Sequence, residues 1–125
     1  MGLHLRVLPD QLAVCRLDPG SDLPGWFPSD GLRSISWTQE ELAIVCAESA
    51  VPADVESEPG WRAFMVEGPL DFGLTGILLQ LAEPLARAGI SIFALSTFDT
   101  DYVMVKGSAL EEAERALVES GHRIR

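Results

Sequence analysis

Residues 96–101 read Ser-Thr-Phe-Asp-Thr-Asp, so three hydroxyls and two carboxylates surround one aromatic ring between two apolar runs. Two carboxylates spaced two apart could serve acid and base work, but no proton-accepting partner is specified near Asp99 and Asp101. They could instead accept an ammonium or guanidinium group, whose donors form charge-assisted bonds to a carboxylate. The same side chains could also do no more than satisfy backbone groups in a turn that has no glycine. A second stretch, Phe72-Gly73-Leu74-Thr75-Gly76, opens an apolar-periodic helix. Backbone N–H groups at a helix start have no partner within the helix and favour a carboxylate. Gly73 and Gly76 let a ligand come close to the backbone. Taken together, the two stretches suit the two ends of a zwitterion.

Other chemistry is not spelled out. His4 and His122 stand near opposite ends of the chain, outside any triad or HExxH spacing. Cys15 and Cys46 have no zinc-site spacing, and the glycines at 68, 73 and 76 form neither a Walker loop nor GxGxxG. The reading is of a protein that is not an enzyme and needs no cofactor or metal. Nine basic residues against 19 acidic ones give a net charge of −10. That balance argues against nucleic acid and anionic membranes, where clustered Lys and Arg are needed. Both cysteines lie in apolar runs and read as buried free thiols. No run of apolar residues is long enough to span a bilayer and the N-terminus lacks a signal-peptide pattern, so a cytoplasmic location is expected.

These groups must be positioned by 125 residues, 47% of them hydrophobic, with a mean hydropathy of +0.18. The composition is that of a globular chain. Leu3–Leu8 and Leu12–Leu17 read as strands joined through Pro9-Asp10 into a hairpin. Residues 18–31, with three prolines and three glycines, exclude a long element. Arg33–Thr38 and Leu42–Glu48 read as a second strand pair, and residues 51–60 as a connection between halves.

From residue 61 the order is clearer. A strand over Trp61–Glu67 is followed by a helix with Leu74, Ile77, Leu78, Leu81, Leu85 and Ala88 on one face. Pro84 should kink that helix or fray its end, and Gly89 should stop it. Strands over Ile90–Leu95 and Tyr102–Lys106 bracket the polar turn. Ser108 and Glu111 spell a capping box for a second helix bearing Leu110, Ala113 and Leu117, which Gly121 stops, and His122–Ile124 adds a last strand. This is β-α-β-β-α-β, the ferredoxin-like unit of the α+β class. The expected division is a degenerate N-terminal unit, 1–58, and a well-formed C-terminal unit, 59–125.

The stretch "GPLDFGLTGILLQLAEPLARAGISIFALSTFDTDYVMV", residues 68–105, resembles the ACT domain of the CASTOR family, and "RSISWTQEELAIVCAE", residues 33–48, is also similar to it. The chain likewise resembles short bacterial proteins with two ACT-like units in tandem that pair as dimers. The resemblance implies a βαββαβ fold and a free amino acid bound between ACT units, with occupancy transmitted by a change in association. It implies a pocket walled on one side by Asp71, Leu74, Gly76 and Ile77 with Thr97, Phe98, Thr100 and Asp101, and on the other by Ile90, Ser91 and Ile92. With one well-formed unit per chain, the two walls would come from two copies of a homodimer. The family's arginine pocket has a glutamate where Leu74 stands and a glycine where Asp71 stands. The resemblance therefore leaves arginine, lysine or another amino acid open. The alternative function is a ligand-free interaction module that docks a regulated protein through its dimer face or a sheet edge.

Overall fold

The computed structural model describes residues 2–68 and 76–125. They form two compact units, residues 1–9 with 62–125 and residues 10–61. The strand β5 (Glu56–Val66) supplies residues to both.

In the unit of residues 1–9 and 62–125, the order from β5 is α1 (Ile77–Arg87), β6 (Phe93–Ser96), β7 (Asp101–Lys106), α2 (Leu110–Glu119) and β8 (Arg123–Ile124). The expected βαββαβ order is present, and β5 and β7, its first and third strands, are neighbours. One strand is added. β1 (His4–Val7) lies between β5 and β8, antiparallel to the first and parallel to the second. Its backbone is used on both sides: Glu67 N–H donates to the His4 carbonyl at 2.8 Å and Arg125 N–H to the Leu5 carbonyl at 2.9 Å. The hairpin expected between β1 and β2 (Leu12–Leu17) does not form. β2 is apolar on both faces and takes two partners of its own, β4 (Leu42–Ala47) and β5.

The core of this unit gathers Leu5, Phe64, Val66, Leu81, Leu85, Val103, Val105, Ala113 and Leu117. The helix periodicities deliver Leu81 and Leu85 from α1 and Ala113 and Leu117 from α2. Leu78, expected on the buried face, is exposed, and Leu74 lies outside the described residues. Gly89 and Gly121 have φ of 75° and 98° and stop the helices as expected. The capping box at Ser108 does not form. A 3-10 turn over Gly107–Ala109 precedes α2, and the Leu110 N–H is taken by the Gly107 carbonyl instead of by a side chain.

Pro84 lies inside α1 without ending it. A proline has no N–H to offer the carbonyl four residues earlier, and here that carbonyl belongs to Gln80. His122 fills the vacancy. Its Nε2 is 3.0 Å from the Gln80 carbonyl oxygen, while its Nδ1 accepts the Leu3 N–H at 3.0 Å. An accepting Nδ1 places the ring proton on Nε2, which donates to Gln80. The ring is only 5% exposed. It joins α1, the start of β8 and the residues leading into β1.

In the unit of residues 10–61, the strand order is β3 (Ser34–Trp37), β4, β2 and the first part of β5, all antiparallel. The expected β3–β4 pair forms. Residues 56–60, expected as connection, are strand, because Gly60 at φ 83° absorbs a register shift of β5 against β2 as a bulge and Pro59 sits beside it. The Gly60 N–H donates to Glu48 Oε1 at 2.7 Å. Cys15 and Cys46 are buried with Ala13, Leu42 and Ile44 and are free thiols, as expected. Burial pushes the Cys15 thiol up to about 11, with Cys46 adding to the rise, and burial also raises Cys46. Since the thiolate is the nucleophile, iodoacetamide at mildly alkaline pH should label neither cysteine in the native protein and both in urea. Rapid native labelling, read by mass spectrometry, would contradict this.

Candidate functional site

The polar turn joins β6 to β7, whose register pairs Ser96 with Asp101 and Leu95 with Tyr102. It needs no left-handed residue, and among the described residues every positive φ belongs to a glycine. Hydroxyls replace glycine here. Thr97 closes the turn through its N–H, 2.9 Å from the Thr100 carbonyl oxygen, and its Oγ1 donates to the same oxygen at 3.2 Å. Thr100 is 7% exposed and its Oγ1 donates to the Val66 carbonyl at 2.5 Å. The turn is thereby fastened to the last residue of β5.

Beside it is a hollow of about 280 Å³, lined by Met65, Gly68, Thr97, Asp99, Thr100 and Tyr102.

 Another hollow, of about 380 Å³, is lined by Leu79, Gln80, Glu83, Pro84, Arg87, Ser120 and His122, away from the turn. Of the residues expected at the pocket, Thr97 and Thr100 line the hollow beside the turn. Asp101 is not part of that lining, and its Oδ1 accepts the Ser96 hydroxyl at 2.6 Å. Phe98, 77% exposed, stands at the tip of the turn. Gly76, at φ 76°, immediately precedes α1, and Ile77 packs onto the core. Ile90 and Ile92 also pack onto that core, whereas Ser91 is exposed between α1 and β6. Asp71 and Leu74 lie outside the described residues.

Four lining residues were not among those expected at the pocket: Met65, Gly68, Tyr102 and Asp99, the last weighed in the sequence only as one of two paired carboxylates. Met65 was within reach of the sequence, because alternation along β5 buries Phe64 and Val66 and sends Met65 to the opposite face. Close to the end of β5, Glu67 accepts from Arg125 Nε at 2.7 Å. That hydrogen bond, against a smaller opposing effect of desolvation, holds the Glu67 carboxyl below its ordinary value. A depressed carboxylate contributes stability above the ordinary glutamate range, and the contribution is lost as pH falls through the lowered value. Arg125→Ala should therefore raise the Glu67 midpoint in a carboxyl NMR titration. An unchanged midpoint would show that the pair does not hold in solution.

A profile described as the ACT domain matches residues 56–119, and a second profile, of an N-terminal domain, matches residues 10–54. With the βαββαβ order in place, the chain belongs to the ACT-domain family. Among individual proteins, the human "Cytosolic arginine sensor for mTORC1 subunit 1" is 42% identical over 60 residues, 44% of this chain and 18% of the sensor. The chain thus spans under a fifth of that relative's length. A "Deoxyuridine 5'-triphosphate nucleotidohydrolase" of Mycobacterium avium is 35% identical over 120 residues, 90% of this chain and 70% of that protein. Among solved structures, protein Atu0741 of Agobacterium tumefaciens superposes with a TM-score of 0.94 at 37% identity, covering 100% of this chain and 93% of that one. The regulatory subunit of aspartate kinase from Thermus flavus follows the same fold, with a TM-score of 0.66 at 12% identity over 96% of this chain and 99% of that one. Among the described residues no helix is long and apolar enough to cross a membrane, and no cluster of His, Cys, Asp and Glu could hold a metal ion.

Proposed function

We propose that the chain is a non-catalytic regulatory module that binds a free amino acid beside the β6–β7 turn. The observation that carries this reading is the hollow between the end of β5 and that turn in a chain of the ACT family, lined by Asp99, Thr97 and Thr100. In the proposed mechanism, backbone N–H groups at Gly73–Gly76 and the start of α1 hold the ligand carboxylate. Asp99 and the second oxygen of Asp101, with Asp71, face its cationic end. Leu74, Gly76, Ile77 and Phe98 complete that wall. Ser91, with the backbone of Ile90 and Ile92, closes the site from a second copy in a homodimer, and the N-terminal residues act as a degenerate ACT-like unit in tandem. Arginine and lysine are the first candidates, because carboxylates outnumber cations around the turn.

A nucleotide-hydrolysing reading, suggested by the name of the mycobacterial relative, meets an electrostatic obstacle. A nucleoside triphosphate is an anion, and residues 10–61 carry ten carboxylates against two guanidiniums. The test combines both readings. A ligand that binds the native state must raise Tm, so a thermal-shift screen of the amino acids should give at least one hit. Asp99→Asn or Asp101→Asn should abolish that hit, and incubation with deoxyuridine triphosphate should release no pyrophosphate. Absence of any hit, confirmed by calorimetry, would sink the amino-acid reading, and pyrophosphate release would replace it.

A further inference from the structure

The strand β3 lies at one end of its sheet, and among the described residues it pairs only with β4. Thr38 N–H donates to the Glu41 carbonyl at 2.9 Å and closes the β3–β4 turn. Bonded and non-bonded pairs alternate along an antiparallel ladder. Ile35 and Trp37, opposite Ile44 and Leu42, therefore turn their backbone N–H and C=O groups away from β4. Exposed edges are commonly blunted by proline, lysine or a bulge. The β3 sequence, Ser-Ile-Ser-Trp, has neither residue, and its register with β4 is unbroken.

Apolar surface and charge accompany this open edge. Trp37 is 55% exposed, and its indole N–H donates to the Ser21 carbonyl at 2.9 Å, which holds the preceding loop beside the strand. Leu23, two residues further along that loop, is 53% exposed. Asp18 and Asp22 flank Ser21, and Glu40 and Glu41 follow Trp37 in the β3–β4 turn. Residues 10–61 as a whole carry a net charge of −8 out of the chain's −10.

We propose that the free edge of β3 receives an extended basic peptide segment of another protein, added to the sheet as a strand. Backbone hydrogen bonds to Ile35 and Trp37 provide the pairing, an apolar side chain of the peptide packs on Trp37 and Leu23, and its lysines or arginines face the carboxylates. Charge chooses the occupant. A second copy would bring a net −8 against a net −8, so the edge that admits a cationic strand repels its own duplicate.

The proposal is independent of amino-acid binding, which is placed in the other unit and read by thermal shift. Its test uses the full chain and a fluorescently labelled short peptide of alternating Lys and Val, followed by anisotropy at about 0.15 M salt. The peptide should bind. The same peptide N-methylated at alternate residues, which keeps the charge and removes the strand-pairing donors, should bind at least about tenfold more weakly. Trp37→Ala should weaken binding to a similar degree, and an alternating Glu and Val peptide should not bind. Equal binding of the N-methylated peptide would reduce the effect to bulk charge and overturn the proposal. So would no binding of the Lys and Val peptide, or sedimentation showing a dimer that Trp37→Lys dissociates, since that would make a second copy the occupant.

Discussion

Replacing His122 by alanine is expected to destabilise the protein by about 2–4 kcal/mol, because one deletion orphans two backbone groups. The Gln80 carbonyl has no donor from residue 84, which is proline, and the Leu3 N–H donates to Nδ1. Both bonds are partly buried, so each group that loses its partner costs toward the lower end of about 1–3 kcal/mol. Urea unfolding of the variant should show a lower midpoint with an unchanged slope. A second substitution makes the assignment specific. Pro84→Ala restores an N–H at position 84 that can reach the Gln80 carbonyl, so His122→Ala should cost about 1 kcal/mol less in that background than in the parent chain. Purely additive costs in the cycle would mean that His122 stabilises the fold by packing and not by supplying the donor that Pro84 lacks.

That pairing shows what a single sequence can and cannot disclose. The apolar period of α1, the stops at Gly89 and Gly121 and the strands around the polar turn are local signals; the stops lie where they were expected, α1 buries Leu81 and Leu85 but not Leu78, and β6 starts at Phe93 where Ile90 was expected. The disruption anticipated at Pro84 is also a sound local inference. Its compensation by a histidine 38 residues later is not local, and nothing in the spacing of Pro84 and His122 announces it. The same limit applies to β1. Its alternation marks a strand, and proximity in sequence favours pairing with β2, but β5 and β8 are the partners because β2 already has β4 and β5 on its two sides. Pro59-Gly60 misled in the opposite sense. A proline and a glycine read as a break, whereas Gly60 in the left-handed region makes a bulge that lets β5 continue.

The turn itself was half legible. Its polar side chains were assigned both a structural and a binding reading, and the structural one is visible in Ser96, Thr97 and Thr100, all of which hold the turn together. The binding reading shifts weight from Asp101, already bonded to Ser96, toward Asp99, which lines the hollow. Sequence pattern could not separate these two carboxylates, because which of them faces the hollow depends on where the hairpin register ends.

Phe64→Ala should produce the largest loss of stability, about 3–5 kcal/mol. Phe64 has no solvent exposure and belongs to the core shared by β1, β5, β7 and both helices, so its removal leaves a cavity bounded by rigid neighbours. Phe64→Leu keeps most of the volume and should cost about 1.5 kcal/mol or less if the core repacks around it. The contrast bears on function as well, because Phe64 is two residues from Val66, whose carbonyl receives Thr100 and fixes the turn beside the hollow. If the turn is positioned by that bond, Phe64→Leu should retain the amino-acid thermal shift at a slightly lower Tm. Thr100→Val, which deletes the donor while preserving shape, should diminish the shift with only about 1–3 kcal/mol of lost stability. A full ligand shift in Thr100→Val would dissociate the site from the bond that fastens the turn to β5.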